Sequence, residues 1–238
     1  MKTPTVWTYW EGRKPPWIEL CLESMKKNIP EINILTPEWW DDVWRESDQT
    51  LRRTFDKQLP NVKSDFIRSY LVSQIGGIWI DADAIVFRDV REIWQHTKTH
   101  DFVGYRVGKP APQLCSALIA ACNTSIMAAA YHKIHRRKLS LGRPLYRLSL
   151  GPNTLARARK ITDANLYAIP QNMVMPIHWV QRDQYLNSAR NIDEILAPDA
   201  YCCMLTHRML GKVRTFSRER LMEGNKLYAV LFRRAFGK

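Results

Sequence analysis

Cysteine is scarce in this chain: five among 238 residues, at Cys21, Cys115, Cys122, Cys202 and Cys203. The number is odd and no Cys-x-x-Cys spacing occurs, which argues against a disulfide framework or a zinc site and favours a reduced, cytoplasmic setting. Long apolar runs are also missing. No uncharged stretch reaches the roughly 18 residues of a spanning helix, and Met1-Lys2-Thr3-Pro4 leads straight into Val-Trp-Thr-Tyr-Trp instead of a signal-peptide core. The expected protein is therefore not integral to a membrane. No internal repeat or low-complexity linker is present, so a solenoid or a tethered pair of domains is not expected. Acids are few: 23 Asp and Glu stand against 36 Lys and Arg, for a net charge of +13. Such an excess points to an anionic partner, whether nucleic acid, an anionic membrane surface, or a phosphorylated or acidic substrate.

What is present suits one globular unit. With 45% hydrophobic and 11% aromatic residues, residues 1–238 can bury one sizeable core. Thr5 to Trp10 reads as a strand, and Pro15-Pro16 can open a helix over Trp17 to Asn28, whose Ile18, Cys21, Leu22 and Met25 share a face. Asn33 to Leu35 reads as a second strand. Trp39 to Gln58 is helical by pattern, and its Trp39, Trp40 and Trp44 suit core, a lid or a sugar-stacking surface, with core the expectation. Ser64-Asp65 suits a helix N-cap and Gly76-Gly77 a helix stop, and Ile78 to Phe87 reads as one buried strand interrupted by two acids. Further strands are expected at Phe102 to Val107 and Ser116 to Ala121, a helix from Ser125 to Arg137, and loops at Gly151-Pro152 and Met175-Pro176. Arg218 to Phe236 reads as a basic amphipathic helix, docked on the core or in peripheral contact with an anionic membrane. Alternating strands and helices with short connections give an α/β fold with a mixed, mostly parallel sheet.

Chemistry concentrates at Asp81-Ala82-Asp83. Alternate residues of an extended segment point one way, so Asp81 and Asp83 can aim two carboxylates at one point. Like charges about 4 Å apart repel by about 4 kcal/mol at an effective dielectric of 20, which a divalent cation relieves. Oxygen-only ligation by few protein groups suits Mg²⁺ or Mn²⁺, completed by water and substrate phosphates. Such acids at the end of a strand lie where open α/β sheets bind ligands. Asp65 and Arg68, three apart on the preceding helix, can pair with each other or grip a polar ligand together.

The run Ser64-Asp65-Phe66-Ile67-Arg68 through Gly76-Gly77-Ile78-Trp79-Ile80-Asp81-Ala82-Asp83 resembles the signature Ser-Asp-x-x-Arg, Gly-Gly-x-Tyr-x-Asp-x-Asp of the sugar-binding-region glycosyltransferases that contain an Asp-x-Asp motif. The opening Thr5 to Gly12, with Pro15-Pro16 and Cys21-Leu22-Glu23-Ser24, resembles their capsular polysaccharide subgroup, and Gly151-Pro152-Asn153 resembles a turn of their acceptor half. The resemblance is dense over residues 5–87 and thin beyond. It implies a GT-A-like, Rossmann-type nucleotide-binding domain, a nucleoside-diphosphate sugar as donor, a glycan or lipid-linked acceptor, and retention of configuration. Residues 1–100 would be the donor half and 101–238 the acceptor half. By the same resemblance Asp65 and Arg68 hold donor hydroxyls, Asp81 contacts the ribose or metal, Asp83 is the main metal ligand, and Trp7 and Tyr9 border the base. The sequence departs from the pattern at Trp79, where Tyr is usual, and an apolar strand position tolerates that change.

His207 is a candidate third metal ligand and Lys212 a candidate diphosphate contact. His178-Trp179 can line an acceptor pocket, and no residue stands out as an enzyme nucleophile. Between His132 and Lys160 nine Lys and Arg occur with no acid, which suits a solvated face, an acceptor site for a lipid-diphosphate-linked or acidic glycan, or contact with an anionic leaflet. Two alternatives use the same features. A basic nucleic-acid-binding protein would use that charge with interleaved aromatics, and a metal-dependent nucleotidyl or phosphosugar transferase would use Asp-x-Asp.

Overall fold

The computed structural model describes residues 3–44, 48–108, 112–146, 149–188, 192–205 and 211–237, with only the backbone described at Val43, Arg182 and Lys212. Strand β1 (Val6–Tyr9) leads into α1 (Pro16–Asn28), β2 (Asn33–Leu35), α2 (Pro37–Val43), α3 (Gln49–Asp56) and α4 (Pro60–Gln74). Then come β3 (Gly77–Ile80), β4 (Ala84–Val86), β5 (Phe102–Val107) and β6 (Gln113–Ala121). The chain ends with α5 (Ile126–Leu139), α6 (Pro152–Thr162), β7 (Leu166–Ile169), β8 (Cys202–Met204), α7 (Arg218–Met222) and α8 (Leu227–Ala235).

Six strands form one sheet in the order β2-β1-β3-β6-β5-β7. Pairings β1–β2, β1–β3 and β5–β7 are parallel, while β6 runs antiparallel to both β3 and β5. Five strands thus share one direction, and their carboxyl ends share one edge. The expected mixed, mostly parallel sheet is observed.

Strand alternation sorts the core into two layers. Ile78 and Ile80 of β3 join Val6, Leu118 and Ala120 under α1 and α8, whereas Trp79 joins Trp7, Ile119 and Ala121 under α4 and α5. Helices therefore cover both faces, and Ile78, Trp79 and Ile80 are fully buried. Gly77 fits its place for a steric reason. Its φ is +118°, and a Cβ there would lie 2.5 Å from the Thr5 carbonyl oxygen of the neighbouring strand. Trp40 and Trp44 are buried among Phe55 and Phe66, as expected for core tryptophans, while Trp39 is half-buried against Trp7.

Four local readings are corrected. Ser64 and Asp65 do not cap a helix: α4 starts a turn earlier, at Pro60, because proline fits a first helical turn, and Leu59 is the N-cap. Residues 78–87 are not one strand. A turn at Asp81–Asp83, with the Ala84 N–H donating to the Asp81 carbonyl at 3.2 Å, ends β3 and sends β4 into a separate two-stranded sheet with β8. Gly151-Pro152 opens α6. The expected helix over 218–236 is two helices, interrupted where Gly224 takes φ +79°. The apolar residues Leu227, Leu231 and Phe232 of α8 are buried in the core, Arg234 pairs with Asp193, and Arg218 pairs with Glu23. That apolar face is occupied by protein, so the membrane-contact reading of this segment loses its basis. No described helix is long and apolar enough to cross a membrane.

Candidate active site

Helix α4 precedes β3 and returns the chain across the sheet, so its first turns lie at the edge where β1 and β3 end. Lys63 in that region pairs with Glu11, just past β1, at 3.0 Å. Two turns in, α4 presents Asp65 and Arg68, which are 8% and 4% exposed. Their spacing of three sets both on one helix face.

Arg68 is the hub. Its Nη2 donates to Asp81 Oδ1 at 2.6 Å, and its Nη1 lies 3.3 Å from Asp65 Oδ1 and donates to the Ser116 hydroxyl on β6. The guanidinium carbon sits 5.2 Å from the centre of the Trp79 ring. The Trp79 indole N–H donates to the same Asp81 oxygen at 2.7 Å. Trp79 therefore does more than fill an apolar strand position, and its role was missed because a buried tryptophan in a strand reads as core. Ser116 was missed too. It becomes a neighbour of Arg68 only through the antiparallel β3–β6 pairing, which sequence spacing does not reveal.

One guanidinium serves two carboxylates, and burial is expensive for both. Burial pushes Asp65 up to about 6, opposed by Arg68 and reinforced by Asp81. Burial also raises Asp81, against the lowering influence of Arg68 and of the Trp79 N–H. Asp83 follows in the turn, where the Leu205 N–H donates to its backbone carbonyl at 2.9 Å. Asp65 and Asp81 thus share the single guanidinium of Arg68, an arrangement that an added cation stabilises. Two hard carboxylates with few further protein ligands fit Mg²⁺ or Mn²⁺. Asp81 and Asp83 do not alternate along one strand, as expected from sequence, but lie in the turn that breaks it. Among the described residues no group of three His, Cys, Asp or Glu side chains is placed to hold a metal ion. His207 lies outside the described residues, as does the side chain of Lys212, although the Lys212 backbone forms part of a 3-10 helix over Gly211–Thr215.

The aromatic pair at β1 divides. Tyr9 lies near the carboxyl edge, its hydroxyl donating to Glu11 at 2.9 Å, and burial followed by Glu11 raises its pKa. Trp7 is buried, packs 5.6 Å from Trp39, and directs its indole N–H at 3.4 Å to the carbonyl of Gly76, the residue before β3. His178 caps the 3-10 helix Trp179–Leu186 through its own Nδ1 and packs against Trp179, ring centres 4.1 Å apart and planes tilted by 38°. Of the basic stretch, Lys133, Arg136 and Arg137 lie on the exposed side of α5. His132 and His135 point inward, to Ser69 and Thr154, and burial lowers His132 to about 4.

Residues 12–100 match the family model for the glycosyltransferase sugar-binding region containing the DXD motif. The chain carries a glycosyltransferase region. The match covers α1 to β4, including Asp65, Arg68, Asp81 and Asp83, and stops before β5. The glycosyltransferase GlyE of Streptococcus pneumoniae TIGR4 has a similar structure, with TM-score 0.53 and 12% identity over 100% of this chain and 64% of that one. Mouse xyloside xylosyltransferase 1 gives TM-score 0.52 and 11% identity over 87% of this chain and 98% of its own. The galactosyltransferase LgtC, solved with donor and acceptor sugar analogues, gives 0.50 and 8% over 96% and 95%. At these identities the likeness establishes the fold, which is that of the GT-A glycosyltransferases. Among curated protein sequences none matches the chain.

Proposed function

We propose that the protein transfers a sugar from a nucleoside-diphosphate donor to a hydroxyl of a glycan or lipid-linked acceptor, in a divalent-metal-dependent reaction. The observation that carries this reading is the Asp65–Arg68–Asp81 network beside Asp83 at the carboxyl edge of the sheet, inside the matched region. A bound Mn²⁺ or Mg²⁺ would offset the charge that builds on the departing diphosphate. Asp83 and Asp81 would hold it, with His207 as a third ligand and Lys212 on the diphosphate. Arg68, fixed by Ser116, Asp65 and Asp81, has its orientation set before a donor arrives, which supports a positioning role toward the sugar. Asp65 would accept hydrogen bonds from donor hydroxyls, and Tyr9 and Trp7 would border the base. A UDP-sugar is the favoured donor, and the resemblance of the opening residues to capsular polysaccharide enzymes supports a retaining transferase of surface polysaccharide synthesis. Residues 1–100 would form the donor half and 101–238 the acceptor half.

Calorimetric titration with UDP and GDP, each with and without Mn²⁺, tests the reading, with a single-stranded oligonucleotide as control. Metal-dependent binding of one nucleotide is expected, lost in Asp83→Ala while circular dichroism stays native. Salt-sensitive, metal-independent binding of the oligonucleotide alone would refute the transferase and favour a nucleic-acid-binding protein.

A further inference from the structure

The basic stretch after α5 is joined in space by a second set of cations that sequence distance concealed. The end of α3 and the segment around Gly142 face each other across a cleft of about 200 Å³, lined by Arg53, Lys57, Arg143, Thr50, Thr54 and Gln58, with Gly142 and Pro144. Gln58 fastens the two walls: its side-chain N–H donates to the Thr54 carbonyl at 2.7 Å and its Oε1 accepts from the Leu145 N–H at 3.0 Å. Arg53 donates to the Gln49 side chain at 3.1 Å. Among the described residues no carboxylate pairs with Arg53, Lys57 or Arg143. Three cations held around one cleft repel one another unless an anion or solvent lies between them.

The surroundings narrow the ligand. Leu59 and Leu141, each next in sequence to a lining residue, and Tyr146, two residues after Pro144, are 58%, 57% and 86% exposed. An exposed aromatic ring can stack on a sugar or cover an apolar group. Leu59 is the N-cap of α4, and Asp65 lies six residues along, roughly 9 Å by helix rise. Gln58, which lines the cleft, immediately precedes Leu59, so the cleft lies close to the amino-terminal end of α4, the end nearer the candidate active site.

We propose that this cleft binds a phosphate or diphosphate group of the acceptor, so that the substrate receiving the sugar is anionic; the acceptor role rests on the transferase reading above. Arg53, Lys57 and Arg143 hold the phosphate oxygens, and Tyr146 covers the adjoining part of the acceptor. The group is held in place and undergoes no bond change.

The test uses the full chain and inorganic pyrophosphate without divalent metal, followed by amide NMR shifts, for the wild type and for Lys57→Gln/Arg143→Gln. A control, Lys133→Gln/Arg137→Gln, removes the same charge from the exposed face of α5. Binding should weaken at least tenfold in the cleft variant and by less than twofold in the control. Equal weakening in both would overturn the proposal in favour of diffuse electrostatics, and unchanged binding in the cleft variant would place the anion elsewhere. Vesicles of phosphatidylglycerol and of phosphatidylcholine separate the sources of phosphate. Retention on phosphatidylglycerol that pyrophosphate does not displace would overturn the cleft in favour of a membrane-facing patch. UDP with Mn²⁺ is titrated into the same samples. Failure of UDP to bind the wild type would sink the donor reading, whereas UDP binding without pyrophosphate binding would sink the acceptor proposal alone.

Discussion

Replacing Arg68 by Met probes the site most directly. Methionine approximates the aliphatic stem of arginine and removes the charge that Asp65 and Asp81 share. In the wild type, Asp65 is already raised from 3.8 to about 6, a difference that corresponds to about 3 kcal/mol disfavouring its ionised form. Without Arg68 the opposing influence disappears from both carboxylates. Removing one partner of a buried ion pair costs about 3–5 kcal/mol when the remaining charge must stay.

The charge need not stay, because a proton can replace it, and this makes the loss depend on pH. A carboxylate with a raised folded pKa favours folding below its unfolded pKa, and that advantage disappears as pH rises through the folded pKa. Arg68→Met should therefore be close to wild-type stability near pH 4, the unfolded carboxyl range, and weaker by about 3–5 kcal/mol near pH 8. The added slope between these values should approach about 1.4 kcal/mol per pH unit for each carboxylate that remains protonated in the folded state. Urea unfolding followed by tryptophan fluorescence at about pH 4, 6 and 8, with EDTA present, measures the difference. Adding Mn²⁺ at pH 8 should recover part of the loss, because a cation can take over part of the missing compensation. A pH-independent loss below about 1 kcal/mol would refute the reasoning, since that is the behaviour of a solvated surface pair.

Trp79→Phe keeps an aromatic ring in the core but removes the N–H that Asp81 accepts at 2.7 Å. A stability loss of about 2 kcal/mol is expected for a hydrogen bond to a charged group, with roughly tenfold weaker Mn²⁺-dependent nucleotide binding, the equivalent of about 1.4 kcal/mol; unchanged binding would show that the indole does not orient Asp81. Gly77→Ala places a methyl 2.5 Å from the Thr5 carbonyl at a φ of +118°. A loss of about 3 kcal/mol or more is expected in urea unfolding, from backbone strain and the displaced β1–β3 pairing, and a loss under about 1 kcal/mol would show that the two strands separate at little cost.

How much of this was legible in the sequence depends on the range of the contact that decides each feature. The strand Asn33–Leu35 and the strand Phe102–Val107 were read with their observed bounds, because alternation and flanking turn residues are local signals. Asp65, Arg68 and Asp81 could be singled out together because helix spacing places the first two on one face and the Gly-Gly stop separates them from the third by one short strand. At the start of α4 two local signals compete: Ser64-Asp65 carries a capping pattern, but the proline four residues before Ser64 fits the first helical turn and sets the start. The division of 78–87 had a different origin. Nothing in an apolar run with two acids says that its second half pairs with Cys202–Met204, more than a hundred residues away. The same holds for Ser116, brought to Arg68 by an antiparallel neighbour, and for Arg53 and Lys57, brought to Arg143 by the side chain of Gln58. In each of these cases the sequence contained the chemical group and only the sheet order or a long-range hydrogen bond supplied its partner. The second half of the chain, where strands β6, β7 and β8 find their partners far away in sequence, is for that reason the part where the geometry adds most.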